Sequence, residues 1–124
     1  MSVIDPSCGW SAGGMISTLE DMKTWAVALG TGSLLTPEAQ AERLSIGIVF
    51  TAGSIYFKYC LGGTWMGENV IFGHNSEIFG FTSAVFHMPS KQAVFVVLSN
   101  CDYTNTLSVI ASISKIVYPD DVPW

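Results

Sequence analysis

Charged residues are scarce in this sequence of 124 residues. They make up 12% of it, while hydrophobic residues make up 49%, and about a quarter is the usual charged fraction of a soluble domain. So apolar a composition excludes a disordered polyelectrolyte. Only five residues are cationic, and the net charge is −5. Because these cations stand singly and form no basic stripe, nucleic-acid binding is disfavoured, and the acidic balance gives no attraction to anionic membranes.

Long apolar runs and paired cysteines are also lacking. The longest apolar run, residues 93–98, is far shorter than the roughly 20 residues of a membrane span. Cys8, Cys60 and Cys101 include no Cys-x-x-Cys pair and are odd in number, so neither a disulfide framework nor a zinc site is expected. Residues 1–6 have neither the basic nor the apolar region of a signal peptide, which leaves the compartment unknown.

The pattern of capping and apolar residues predicts three helices. Ser17 and Glu20 have capping-box spacing at the start of the first helix. Thr36-Pro37-Glu38 is typical of a helix start, and this short second helix is predicted to reach about Leu44. The third helix is predicted over residues 105–117. It is apolar nearly all round, which indicates burial on more than one side.

Residues between the second and third helices are rich in the β-branched and aromatic side chains of strands. Strands are predicted at 59–65, 69–74, 81–87 and 92–99, and segments 46–50 and 54–57 are interpreted as strands or an ordered loop. The run 92–99 is the most apolar, which favours a central position in the sheet. Short connections favour an antiparallel β-meander of three or four strands. With its flanking helices this is an α+β fold.

One segment, Gly73 to Phe81, has the composition of a site edge. A histidine is followed by small polar residues and flanked by glycines that allow a ligand or another backbone to approach closely. From the residues alone, a half-buried histidine in a glycine-rich turn is the more common alternative.

Four motifs follow one another along nearly the whole chain. They are Ala12-Gly13-Gly14-Met15 leading into the first helix, Tyr59-Cys60-Leu61-Gly62, Gly73-His74-Asn75-Ser76 with Gly80-Phe81, and Val96-Val97-Leu98-Ser99-Asn100. In this order they resemble the C-terminal part of the serine β-lactamase and D-alanyl-D-alanine carboxypeptidase superfamily, in its class C branch, which includes many esterases. The resemblance implies that residues 1–124 are a single partial domain with a partial β-lactamase/transpeptidase-like fold.

The resemblance also implies site residues. The resemblance places His74 at the catalytic position of the family's third motif and Ser76 at a position in the oxyanion wall, where the family has glycine. A side chain at Ser76 is expected to narrow the cleft. Trp10, Ser11 and Asn75 are expected to contact substrate, although Trp10 has the alternative role of a hydrophobic anchor for its loop.

In the intact family a serine forms an acyl-enzyme with a β-lactam, a D-Ala-D-Ala peptide or an ester, without a metal or organic cofactor. That serine belongs to a Ser-x-x-Lys motif and its base to a Tyr-x-Asn motif, and both are expected before the Ala-Gly-Gly-Met turn. The strings Ser112-Ile113-Ser114-Lys115 and Tyr103-Thr104-Asn105 match these patterns in reversed order and in or beside the last helix. We therefore expect the chain alone to be inactive, and whether it is an enzyme stays open.

An interaction module is the main alternative to a hydrolase fragment. Sheet edges left without strand partners could pair with a partner chain or with a second copy. Because the chain is apolar and poor in charge, we expect a homo-oligomer, with a dimer as the commonest closed form. A truncated product without a function of its own is a third possibility. A small-molecule or peptide substrate is expected only for the intact enzyme.

Overall fold

The computed structural model describes residues 5–49, 54–57 and 61–121. Its helices are α1 (Trp10–Gly13), α2 (Leu19–Thr31), α3 (Pro37–Arg43) and α4 (Thr106–Val117). Its strands are β1 (Ile46–Val49), β2 (Ser54–Phe57), β3 (Gly62–Met66), β4 (Asn69–Ile78), β5 (Phe81–Met88) and β6 (Ala93–Ser99). The strands form one antiparallel sheet in chain order. The predicted α+β meander is confirmed, but it is longer than predicted because β1 and β2 also pair.

Side-chain caps define the helix starts. Thr18, rather than the predicted Ser17, caps α2: it has an extended backbone, and its hydroxyl accepts the N–H of Asp21 at 3.1 Å. The predicted helix start is therefore one residue too early, because it is the Thr18 hydroxyl that satisfies a free N–H of the first turn. Thr36 caps α3 as predicted and accepts the N–H of Ala39 at 3.3 Å. The predicted C-terminal helix is also confirmed, with Asn105 as its cap.

The position predicted for the most apolar strand is wrong. β6 lies at one end of the six-strand order instead of at its centre. Its neighbours explain the apolar sequence, because both α2 and α4 contact it while β5 is its strand partner. An apolar run on both faces of a strand therefore reflects cover by two helices, not the number of neighbouring strands.

The main hydrophobic core lies between α4 and the sheet. It contains Met66, Ile71, Ala84, Phe86, Met88, Phe95 and Ile110. Within α4, Ile110 and Ser114 are fully buried, whereas Ile116 is 75% exposed. The prediction that this helix is buried on more than one side is therefore wrong for the described residues, because α4 packs on the sheet with one face only.

Two further properties hold for the part of the chain that the structure describes. None of its helices is long and apolar enough to span a membrane. Its histidines, cysteines and carboxylates form no group of three or more that could hold a metal ion.

Candidate active site

The segment with the predicted histidine lies inside a strand instead of at its end. β4 was predicted to stop at His74, but it continues to Ile78 because it pairs with β5 over its whole second half. In this register His74 lies opposite Val85, and Ser76 lies opposite Ser83. Pairing with Val85 and Ser83 of β5 therefore keeps the backbone of His74 and Ser76 extended and ordered.

A tight turn fixes the far end of this hairpin. Phe79 and Gly80 connect Ile78 to its partner Phe81, and Gly80 has a φ of 87°, which favours glycine. The carboxylate of Asp102, which follows β6, accepts the N–H of Gly80. This hydrogen bond connects the β4–β5 turn to the segment between β6 and α4.

A cleft of about 270 Å³ opens between α2 and the sheet beside this strand. His74, Asn75 and Ser76 all contribute to its wall. The remaining described lining residues come from α2, α3, β5 and the neighbouring segments: Met22, Trp25, Ala26, Leu29, Arg43, Leu61, Phe72, Gly73, Ser83, Val85 and His87. Three of the five predicted site residues therefore lie together on one cleft.

A second cleft, of about 180 Å³, shares part of that wall. Gly73, His74 and Asn75 line both clefts, and Thr64, Phe86 and Leu107 are among the residues that complete the second one. Gly62 and Gly73 lie opposite each other in β3 and β4 and present no side chains there. The segment around His74 is consequently accessible from two sides.

His74 has one ring nitrogen engaged. Its Nδ1 lies 2.5 Å from the main-chain oxygen of Asn75. Because a carbonyl oxygen only accepts, this contact requires the proton on Nδ1 and leaves Nε2 of the neutral ring as an acceptor. An exposed imidazole in this state can take a proton from, or accept a hydrogen bond from, a group bound in the cleft.

The structure places Trp10 and Ser11 elsewhere. Both are exposed and belong to α1, and neither is among the residues lining the two clefts. Their segment contacts the end of β4, since a Cβ at Gly13 would come within 2.6 Å of Ile78 Cδ1. Ile78 lies four residues beyond His74, which is roughly 13 Å along a strand.

Comparison with known proteins gives the family. The family model described as Beta-lactamase matches residues 2–117. The chain belongs to the β-lactamase family. No curated protein matches it.

A solved structure shows the same fold. The crystal structure of a D-stereospecific amidohydrolase from Streptomyces sp. matches 90% of this chain with a TM-score of 0.75 and 23% sequence identity. The match covers 33% of that amidohydrolase chain. The chain of 124 residues therefore spans about a third of the length of this solved relative.

The strings that imitate the family's catalytic motifs lie away from the clefts. Ser112 is exposed on α4, and its hydroxyl donates to the carbonyl of Ser108 at 2.9 Å. Tyr103 is 94% exposed, and Asn105 caps α4. None of these three residues lines either cleft, so the geometry offers no support for catalysis by Ser112.

Three residues of the larger cleft were missed by the sequence analysis. Arg43 ends α3, His87 lies in β5 and Trp25 lies in α2. Only the folded chain brings them beside β4. A cation in the last turn of a helix, such as Arg43, is a signal that the sequence does show. That signal predicts a helix end, and no neighbouring residue indicates that Arg43 lines a cleft.

Proposed function

We propose that this chain forms one wall of the acyl-transfer site of a serine hydrolase of the β-lactamase family. The observation that carries the proposal is the grouping of His74, Asn75 and Ser76 on an ordered strand that lines a cleft. His74 would act on the nucleophile's proton network, and the backbone near Ser76 would face the developing oxyanion. Trp10, Ser11 and Asn75 remain proposed substrate contacts.

The chain by itself is proposed to be catalytically inactive. The only Ser-x-x-Lys string in the sequence begins at Ser112, and that serine lies outside both clefts. In the intact protein we propose that a serine outside residues 1–124 attacks a β-lactam, a D-Ala-D-Ala peptide or an ester. Amides of D configuration join these candidates because the solved relative is a D-stereospecific amidohydrolase.

Acylation of the purified chain tests this proposal. We expect no labelling by a fluorescent penicillin and no turnover of nitrocefin or p-nitrophenyl esters. Turnover that Ser112→Ala abolishes would contradict the proposal, because it would place the nucleophile on α4. The coding sequence upstream of Met1 provides a second test, since the proposal expects Ser-x-x-Lys and Tyr-x-Asn motifs there in frame.

An active longer protein would test His74 directly. There His74→Ala should lower turnover by roughly a hundredfold, the usual size of a proton-transfer contribution. His74→Lys should restore part of this loss, because lysine also supplies a donor at that position. Unchanged turnover in His74→Ala would exclude the proposed role.

Self-association is a second candidate function, favoured by the exposed apolar side of α4. Ile113, Ile116 and Val117 are exposed there, and β6 has no further strand beside it in the described sheet. Light scattering should then show a dimer at tens of micromolar, which Ile116→Lys weakens and Ile16→Lys, at an exposed residue before α2, does not. A monodisperse species of 13.4 kDa would exclude this function.

A further inference from the structure

The cleft between α2 and the sheet is cationic although the chain as a whole is acidic. Its described lining residues include one fixed cation, Arg43, and no aspartate or glutamate, while the net charge of the chain is −5. None of the ten acidic residues is among the described residues that line this cleft. A cleft of this sign favours an anionic ligand.

Arg43 has hydrogen-bonding capacity to spare. Its Nε donates to Oε1 of Gln40 at 3.2 Å, and one terminal nitrogen donates to the carbonyl of Leu29 at 2.6 Å. These neutral partners fix the guanidinium in place, and no carboxylate pairs with it among the described residues. Two of its five N–H groups are used in this way, and among the described residues the other three have no partner.

The rest of the cleft is largely apolar. Trp25 forms one wall and is 52% exposed, and the other apolar lining residues are Met22, Ala26, Leu29, Leu61, Phe72 and Val85. A volume of about 270 Å³ lies just below the usual range of sites for drug-sized ligands, roughly 300–1,000 Å³. The cleft therefore suits a ligand with one ring or a short branched chain.

Phe72 connects the cationic and apolar parts of the cleft. The guanidinium carbon of Arg43 lies 5.9 Å from the centroid of its ring, and the ring of His87 packs against it with centroids 5.2 Å apart. His87 is only 8% exposed, and its Nδ1 is buried without a hydrogen-bond partner among the described residues. A fixed cation and an unsatisfied polar atom thus adjoin one aromatic surface.

We propose that this cleft binds a small carboxylate that carries an aromatic or branched aliphatic group. The carboxylate pairs with Arg43, and the apolar group packs between Trp25 and Phe72. Such a ligand supplies the negative charge that the cleft lacks and removes its own apolar surface from water. The proposal does not depend on acyl transfer, because a chain without a nucleophile would still bind the ligand.

Three probe compounds measure separately how the carboxylate and the apolar group contribute to binding. 3-Phenylpropanoate has both parts, 3-phenylpropanamide replaces the carboxylate by a neutral amide, and acetate lacks the ring. We expect calorimetry on the full chain to show binding of 3-phenylpropanoate at least about tenfold tighter than binding of the other two, the effect of one charge-assisted contact. Amide signals of Ala26 and Gly73 should shift in NMR spectra. Equal affinity for acid and amide, or no binding in the millimolar range, would overturn the proposal.

Matched variants locate the site. Arg43→Gln should weaken 3-phenylpropanoate binding by about tenfold or more, whereas Lys23→Gln, the same change of charge on the exposed side of α2, should not. Trp25→Ala should weaken binding, unlike Trp65→Ala, which removes an equally exposed tryptophan outside the cleft. Should Arg43→Gln fail to fold, the two tryptophan variants still decide, since equal affinities for both would overturn the proposal.

Discussion

His87 of β5 packs directly against Gly30 of α2, so closely that a Cβ at position 30 would lie 2.5 Å from the Cδ2 atom of the ring. Alanine normally stabilises a helix relative to glycine by about 1 kcal/mol, but this contact reverses the sign. We expect Gly30→Ala to lower the free energy of unfolding by about 1–2 kcal/mol, the cost of overpacking, in urea denaturation. His87→Ala should remove the clash, so simple additivity in the double variant would contradict this explanation.

The same histidine makes the stability of the chain depend on pH. Burial, and then the charge of Arg43, lower the pKa of His87 below 6.5. The unfolded chain therefore takes up this proton at a higher pH than the folded chain does. The free energy of unfolding should fall as the pH drops through 6.5 and should level off below the folded pKa.

Urea denaturation at about pH 7.5 and about pH 5 measures this loss. His87→Gln should reduce the difference between the two conditions, and His74→Gln, a change at an exposed ring, should keep it. Asp5 does not interfere in this window, because the N–H of Ser7 lowers its pKa below 3.8. An unchanged difference in His87→Gln would exclude His87 as the cause.

Local patterns predicted some features of the site and could not predict others. The segment around His74 is contiguous, so its glycines and polar residues were recognisable in the sequence. Arg43 and His87 belong to different elements, α3 and β5, and only the fold brings both of them against Phe72 of β4. In the fold, the length of β4 was underestimated because Asn75 and Ser76 are typical turn residues, whereas pairing with β5 keeps them extended.

Asp102 is expected to stabilise the β4–β5 turn. Its carboxylate accepts the N–H of Gly80, and losing a hydrogen bond to a charged group costs about 1.5–3 kcal/mol when the group is well ordered. Because Asp102 is exposed, we expect Asp102→Ala to lower the free energy of unfolding by about 1 kcal/mol and to speed hydrogen exchange at Gly80. Asp120→Ala, the same charge change in the C-terminal segment, should leave that exchange rate unaltered, and equal rates in both variants would contradict the role of Asp102.

Gly73 is expected to be indispensable to the strand that carries His74. A Cβ at Gly73 would collide with the carbonyl oxygen of Val85 and lie 2.8 Å from Phe86 Cα, both of them backbone atoms that cannot move aside alone. Gly73→Ala should therefore force β4 and β5 apart and lower the free energy of unfolding by about 3 kcal/mol.

Its cross-strand partner Gly62 provides the control for this prediction. A Cβ at Gly62 would meet its nearest atom, the carbonyl oxygen of Gly73, at 3.2 Å, so a shift of a few tenths of an ångström accommodates it. Gly62→Ala should cost less than about 1 kcal/mol and leave the NMR signals of His74 near their original positions. Gly73→Ala should move those signals, because it displaces the backbone on which the ring is carried. Equal destabilisation by the two substitutions would show that the close approach of β5 to Gly73 is not what requires glycine there.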